Sequence, residues 1–218
     1  MTGLPPSPRL RRLASRAAPP GPTAGAEERC DLCAEPLPGE HRHLLDLQSG
    51  EPACACRPCS LLFDREVAGG DHYQLLPEGR QRLDIRLDDQ LWAALGVPVD
   101  LVFFTRDHEG AVLARYPSPL GTLRADVPEQ VWSRLLAEHP ELADLAPSVE
   151  ALLTYRTATE QQHWRVPVDV CFQLAALVRA HWDGISGGKA VHQRIRSFLD
   201  QLTPAPGTPA GAHPRPTG

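Results

Sequence analysis

The chain has 218 residues, a formal net charge of −5 at pH 7 and six cysteines. Six cysteines are too few for a secreted disulfide scaffold, and no apolar run approaches the roughly 18 residues of a membrane-crossing helix. A negative balance argues against binding to a phosphate backbone, which depends on Lys and Arg to displace counterions.

Prolines mark the two ends. Eleven of the 23 prolines fall in residues 1–29 and 203–218, which are otherwise rich in Ala, Gly, Thr, Ser and Arg. Such stretches bury too little apolar surface to offset the entropy of ordering, so both are expected to be disordered tails. Arg9, Arg11, Arg12 and Arg16 lie in the first tail with no apolar stretch after them, which speaks against a secretory signal. The expected location is the cytoplasm, where thiols stay reduced. Five arginines and two glutamates precede Cys30 and one arginine follows Leu202, so residues 30–202 carry −9.

The first predicted element is a cysteine-rich module over residues 30–66. Cys30-Asp31-Leu32-Cys33 and Cys56-Arg57-Pro58-Cys59 form two C-x-x-C pairs. Two thiolates on one tight turn can reach the same ion at about 2.3 Å, and a second such turn completes a tetrahedron. Cys30, Cys33, Cys56 and Cys59 are therefore the candidate metal ligands. Between the pairs, residues 41–47 and 52–56 flank Ser49-Gly50-Glu51, a hairpin pattern. A two-residue turn would put His41, His43, Cys54 and Cys56 on one face. Cys54 and His43 become reserve ligands, and Cys54 is also suited to passing on a metal or cluster.

The run after Cys59 can open a short helix, with Cys56 and Cys59 at its start. Knuckle, hairpin and helix start is the order of a treble-clef zinc module. A rubredoxin-like or zinc-ribbon module would instead carry both pairs on hairpin turns. Four thiolates suit zinc or, alternatively, a single iron. Residues 30–66 have a net charge of −4, so a protein partner is expected and no nucleic acid.

Residues 67–83 read as a connector, with Gly69-Gly70 and Pro77-Glu78-Gly79. A larger α+β domain is expected over 84–202. Its predicted helix from Leu83 to Leu95 carries a stripe of Leu87, Leu91, Trp92 and Leu95. Strands follow at 97–104 and 111–116. A helix over 129–138 buries Val131, Trp132, Leu135 and Leu136, and a short helix or turn comes at 140–145. Strands at 149–156 and 162–166 lead to a helix opened by Pro167, with the stripe Cys171, Leu174, Ala175, Val178 and Trp182. The last helix, 187–202, buries Val191, Ile195, Phe198, Leu199 and Leu202. The expected sheet is small and partly antiparallel.

No G-x-S-x-G or comparable nucleophile setting occurs. Asp183 to Lys189 lacks phosphate-loop spacing and reads as an interhelical turn capped by Ser186. Nothing specifies an enzyme.

The Cys30–Cys33 and Cys54–Cys59 runs, His41-Arg42-His43-Leu44-Leu45-Asp46-Leu47, Val166-Pro167-Val168-Asp169-Val170-Cys171 and His181-Trp182-Asp183-Gly184 with Gly187-Gly188 carry a family likeness. The chain resembles an uncharacterised actinobacterial family encoded beside uptake [NiFe]-hydrogenase genes. The resemblance implies an accessory role in hydrogenase maturation, assembly or electron transfer, with hydrogenase or its assembly factors as partners. The expected function is a metal-binding, non-catalytic accessory or adaptor protein with a structural zinc. The alternative is a rubredoxin-like iron electron carrier.

Overall fold

The computed structural model describes residues 28–63, 72–118, 121–182 and 188–202. Both expected disordered tails, apart from Glu28 and Arg29, lie outside these residues, as do the Gly69-Gly70 part of the connector and the Ser186 turn.

Two antiparallel sheets organise the chain. The smaller has three strands in the order β2-β1-β3: β1 is Arg42–Asp46, β2 Glu51–Ala55 and β3 Tyr73–Leu75. The hairpin loop between β1 and β2 has four residues rather than two. Gly50 closes it at φ +68, a left-handed conformation that suits glycine. A four-residue loop preserves the parity of a two-residue one, so His43 still faces Cys54 in the register. The short helix α1, Arg57–Leu61, follows β2 directly.

The larger sheet has six strands in the order β4-β9-β8-β5-β6-β7, and every neighbouring pair is antiparallel. These are β4 Gln81–Leu83, β5 Leu101–Arg106, β6 Val112–Ser118, β7 Gly121–Asp126, β8 Glu150–Arg156 and β9 Gln161–Pro167. The sheet is thus larger and more uniform than expected. Short strands β3 and β4 lie in the stretch read as a connector, and β7 was not expected.

Helices cover both faces. On one, Leu101 and Phe103 of β5, Ala151, Leu153 and Tyr155 of β8 and Trp164 of β9 pack against α4 (Val168–Ala180) and α5 (Gly188–Leu202). The predicted stripes supply this layer: Cys171, Leu174 and Val178 from α4, Val191, Ile195 and Leu199 from α5. Leu45 of β1 and Leu76 join the same layer, which ties the small sheet to the α4 side. On the other face, Val102, Phe104 and Leu152 pack against α2 (Asp89–Ala94) and α3 (Glu129–Glu138) through Leu91, Trp132 and Leu135. A 3-10 turn at Pro140–Asp144 adds Leu142. Because β5 feeds both layers, it is a nearly unbroken apolar run.

The predicted helix over 83–95 is corrected to α2 alone. Leu83, Ile85 and Leu87 are buried while Asp84 and Arg86 between them are exposed. That two-residue alternation is extended chain. The period changes at Asp88, whose carboxylate accepts from Leu91 N at 2.6 Å and starts the helix. The mixed α+β class holds.

Candidate metal centre

The first C-x-x-C pair sits on a turn that doubles back on itself. Ala34 N donates to Cys30 O and Cys30 N to Glu35 O, both at 2.8 Å. Ala34 takes φ +62, which brings Cys33 back over Cys30. Asp31 ties this knuckle to the hairpin: its N donates to Cys54 O at 2.9 Å, and its carboxylate accepts from Cys54 N at 2.6 Å.

The second pair sits where β2 becomes α1. Cys56 is the N-cap residue, Pro58 fits the first turn, and Ser60 N donates to Cys56 O at 2.9 Å. Cys59 lies one turn on, so both sulfurs face the knuckle.

The two turns converge. The Sγ atoms of Cys30, Cys33, Cys56 and Cys59 all lie within 4.8 Å of one another. Cys33 and Cys56 are 3.6 Å apart at sulfur. A tetrahedron with metal–sulfur bonds of about 2.3 Å has edges of about 3.8 Å, so the cluster has the dimensions of a four-thiolate site. All six cysteines are free thiols. Cys30 and Cys56 are buried, Cys59 half-buried and Cys33 exposed.

Crowded thiols do not ionise independently. Burial opposes the Cys30 thiolate, but backbone N–H groups of Cys56, Cys33 and Leu32 outweigh it and bring its pKa down to about 6. The neighbouring sulfur of Cys56, burial, and the other thiols push Cys59 up to about 12. One thiolate forms readily and then resists the next. A divalent cation removes that conflict by neutralising the accumulated charge. The four-cysteine cluster can therefore hold a metal ion.

The two reserve candidates lie in a neighbouring group. A ring nitrogen of His41, one of His43 and Cys54 Sγ are within 4.8 Å of one another. His43 Nδ1 is 2.9 Å from Asp169 Oδ2 in the first turn of α4. The Asp169 carboxylate, then Cys54, raise the His43 pKa to about 9. His41 stood on the predicted face but not among the predicted ligands. Asp169 was missed altogether: an acid in a first helical turn looks like a partner for the helix terminus, and nothing local signals contact with His43.

A cleft of about 760 Å³ lies between Arg82–Arg86 and the β8–β9 turn. No cysteine, histidine or serine lines it. No helix among the described residues is long and apolar enough to cross a membrane.

Fold and site together define a mixed α+β protein of two antiparallel sheets with a four-cysteine cluster of metal-site dimensions. The chain belongs to a family of unknown function (DUF5947), which matches residues 29–206. No curated protein and no solved structure gives a significant match.

Proposed function

We propose that Cys30, Cys33, Cys56 and Cys59 hold a structural zinc ion in a treble-clef arrangement, and that the protein is a non-catalytic accessory or adaptor. The convergence of all four Sγ atoms within 4.8 Å carries this reading. Two further features support the treble clef over a rubredoxin or zinc-ribbon type. The first pair lies on a knuckle before the hairpin, and the second at a helix start rather than a hairpin turn. Zinc also suits a small sheet whose strands bury only Leu44, Leu45 and Ala55 fully. So little core needs a cross-linking ion to hold its shape.

A protein partner is supported by Leu61 and Leu62, which are 62 % and 61 % exposed just beyond Cys59. The resemblance to a hydrogenase-associated family makes a cytoplasmic [NiFe]-hydrogenase or its assembly factors the proposed partner. A second reading, a rubredoxin-like iron centre that carries electrons, draws on the exposure of Cys33, which gives the cage an edge at the surface.

Metal analysis and a visible spectrum of anaerobically purified protein separate the two. The expected result is colourless protein with one zinc per chain that survives dialysis and is lost from Cys33→Ser and Cys59→Ser. Red protein with thiolate-to-iron absorption supports the electron carrier. Protein without a tightly held metal overturns both.

A further inference from the structure

The His41, His43 and Cys54 group does not belong to the four-thiolate cage, and its chemistry differs. The β1–β2 ladder sets His43 opposite Cys54, and His41, just before β1, brings a ring nitrogen within 4.8 Å of both. The two imidazole rings pack edge to face with centroids 4.7 Å apart.

Each ring has one nitrogen fixed by an oxygen. His41 Nδ1 is 3.1 Å from the Pro38 carbonyl. A carbonyl only accepts, so Nδ1 carries the hydrogen, and a cation can take the lone pair of Nε2 in the neutral ring. Once a cation displaces its second proton, His43 repeats the pattern, with Nδ1–H on Asp169 Oδ2 and its ring against the Cys54 thiol. Metal-binding histidines are oriented in this way, with the far nitrogen held by a carbonyl or carboxylate.

What the cluster lacks is an electrophile. The His41 side chain is only 6 % exposed, and its Nε2 is buried with no partner among the described residues. Asp169 Oδ1 is also buried without one. A buried acceptor without a donor is costly. Cys54, His43 and Asp169 alone would also read as nucleophile, base and orienting acid, but that reading leaves His41 Nε2 unexplained. A cation accounts for both histidines and the thiol.

We infer that His41, His43 and Cys54 form a second, exchangeable site for a divalent cation of the zinc class, with Asp169 as its positioning residue. Two imidazoles and a thiolate suit borderline cations. Three protein ligands leave a fourth position for water or a visiting ligand. A cleft of about 290 Å³, lined by His41, His43, Asp169, Glu78, Arg80 and Gln173, reaches the pair from solvent. The four-thiolate cage has no such vacancy in its ligand set, so the two sites differ in retention: one keeps its ion and the other trades it. This inference does not require the cage to hold zinc.

Cobalt(II) titration of the full chain, dialysed after purification, tests the site. The expected result is uptake of one cobalt per chain beyond the ion that resists dialysis, with a thiolate-to-cobalt charge-transfer band. Cys54→Ser should abolish that band, and His41→Ala or His43→Ala should abolish the extra uptake. Asp169→Asn, nearly isosteric, should weaken cobalt binding about 10–100-fold at unchanged thermal midpoint and unchanged tightly held metal. Failure of wild-type protein to take up extra cobalt overturns the inference, as does uptake unchanged in His41→Ala. Rapid alkylation of Cys54 that cobalt does not slow also overturns it, in favour of the nucleophile. The Cys54-dependent band reads this site alone, so its outcome stands apart from that of the cage.

Discussion

The two sheets use the same alternation of side chains and fill it with different chemistry. The six-stranded sheet sends leucine, phenylalanine, valine and tryptophan into layers on both faces. The three-stranded sheet has only Leu44, Leu45 and Ala55 fully buried on its strands, and gathers sulfur and imidazole around them. A broad sheet can be held by apolar burial. Three short strands with so little hydrocarbon of their own would gain most from the cross-linking ion proposed above. Core and candidate ligands therefore concentrate in different regions: the large sheet holds most of the buried hydrocarbon, and the clustered cysteines and histidines lie at the small one.

The sharpest way to break this comparison is to remove metal. Structural zinc is worth about 10–16 kcal/mol in zinc-finger peptides, as much as the whole stability of many domains. Exhaustive chelation should abolish amide-exchange protection over Arg42–Ala55 while Leu101–Arg106 and Glu150–Pro167 stay protected. If both regions lose protection together, the two sheets form one cooperative unit and the comparison fails.

The converse change acts on the large sheet. Leu153 is fully buried in the layer beneath α4, so Leu153→Ala should cost about 2–5 kcal/mol in urea unfolding. The tightly bound metal per chain should not change.

A smaller effect comes from His163, paired with Thr154 between β8 and β9 at 3.1 Å and 1 % exposed. Burial, with help from His139 and Arg156, pulls its pKa down to about 4. The unfolded chain takes up a proton near pH 6.5 that the folded one refuses. His163 therefore costs no stability above pH 6.5, and the fold loses stability as pH falls from there toward 4. The loss should reach about 2 kcal/mol by pH 5, read as a falling urea midpoint. His163→Gln should flatten that slope. A wild-type midpoint equal at pH 7.5 and pH 5 would show the histidine to be hydrated.

The sequence exposed the site better than it exposed the sheet. Two C-x-x-C pairs are a local signal, and parity grouped His41 and His43 with Cys54, though it put Cys56 on that face too and Cys56 clusters with the other three cysteines. The helices α3, α4 and α5 were legible because each carries a full apolar stripe. Strand β7 was not, because none of its residues is fully buried and Leu123 is 46 % exposed, so an edge strand leaves no alternation to read. Leu83, Ile85 and Leu87 misled because their two-residue spacing runs straight into the helical spacing of Leu91 and Leu95. Asp169 was invisible for another reason: its partner His43 lies on the far side of the whole six-stranded sheet in sequence, and only the packing of α4 against β1 and β2 joins them.

The order of the strands sets a timetable. Cys30, Cys33, Cys56 and Cys59 lie in one short stretch ahead of every strand of the large sheet, whereas β4 has β9 as its one neighbour among the described residues and must wait until β9 is made. During synthesis from the N-terminus, all four thiols leave the ribosome before β9 and α4, with the Asp169 that pairs with His43, have been made. On the proposed reading, the nascent hairpin can therefore take up its ion before the large sheet is able to close.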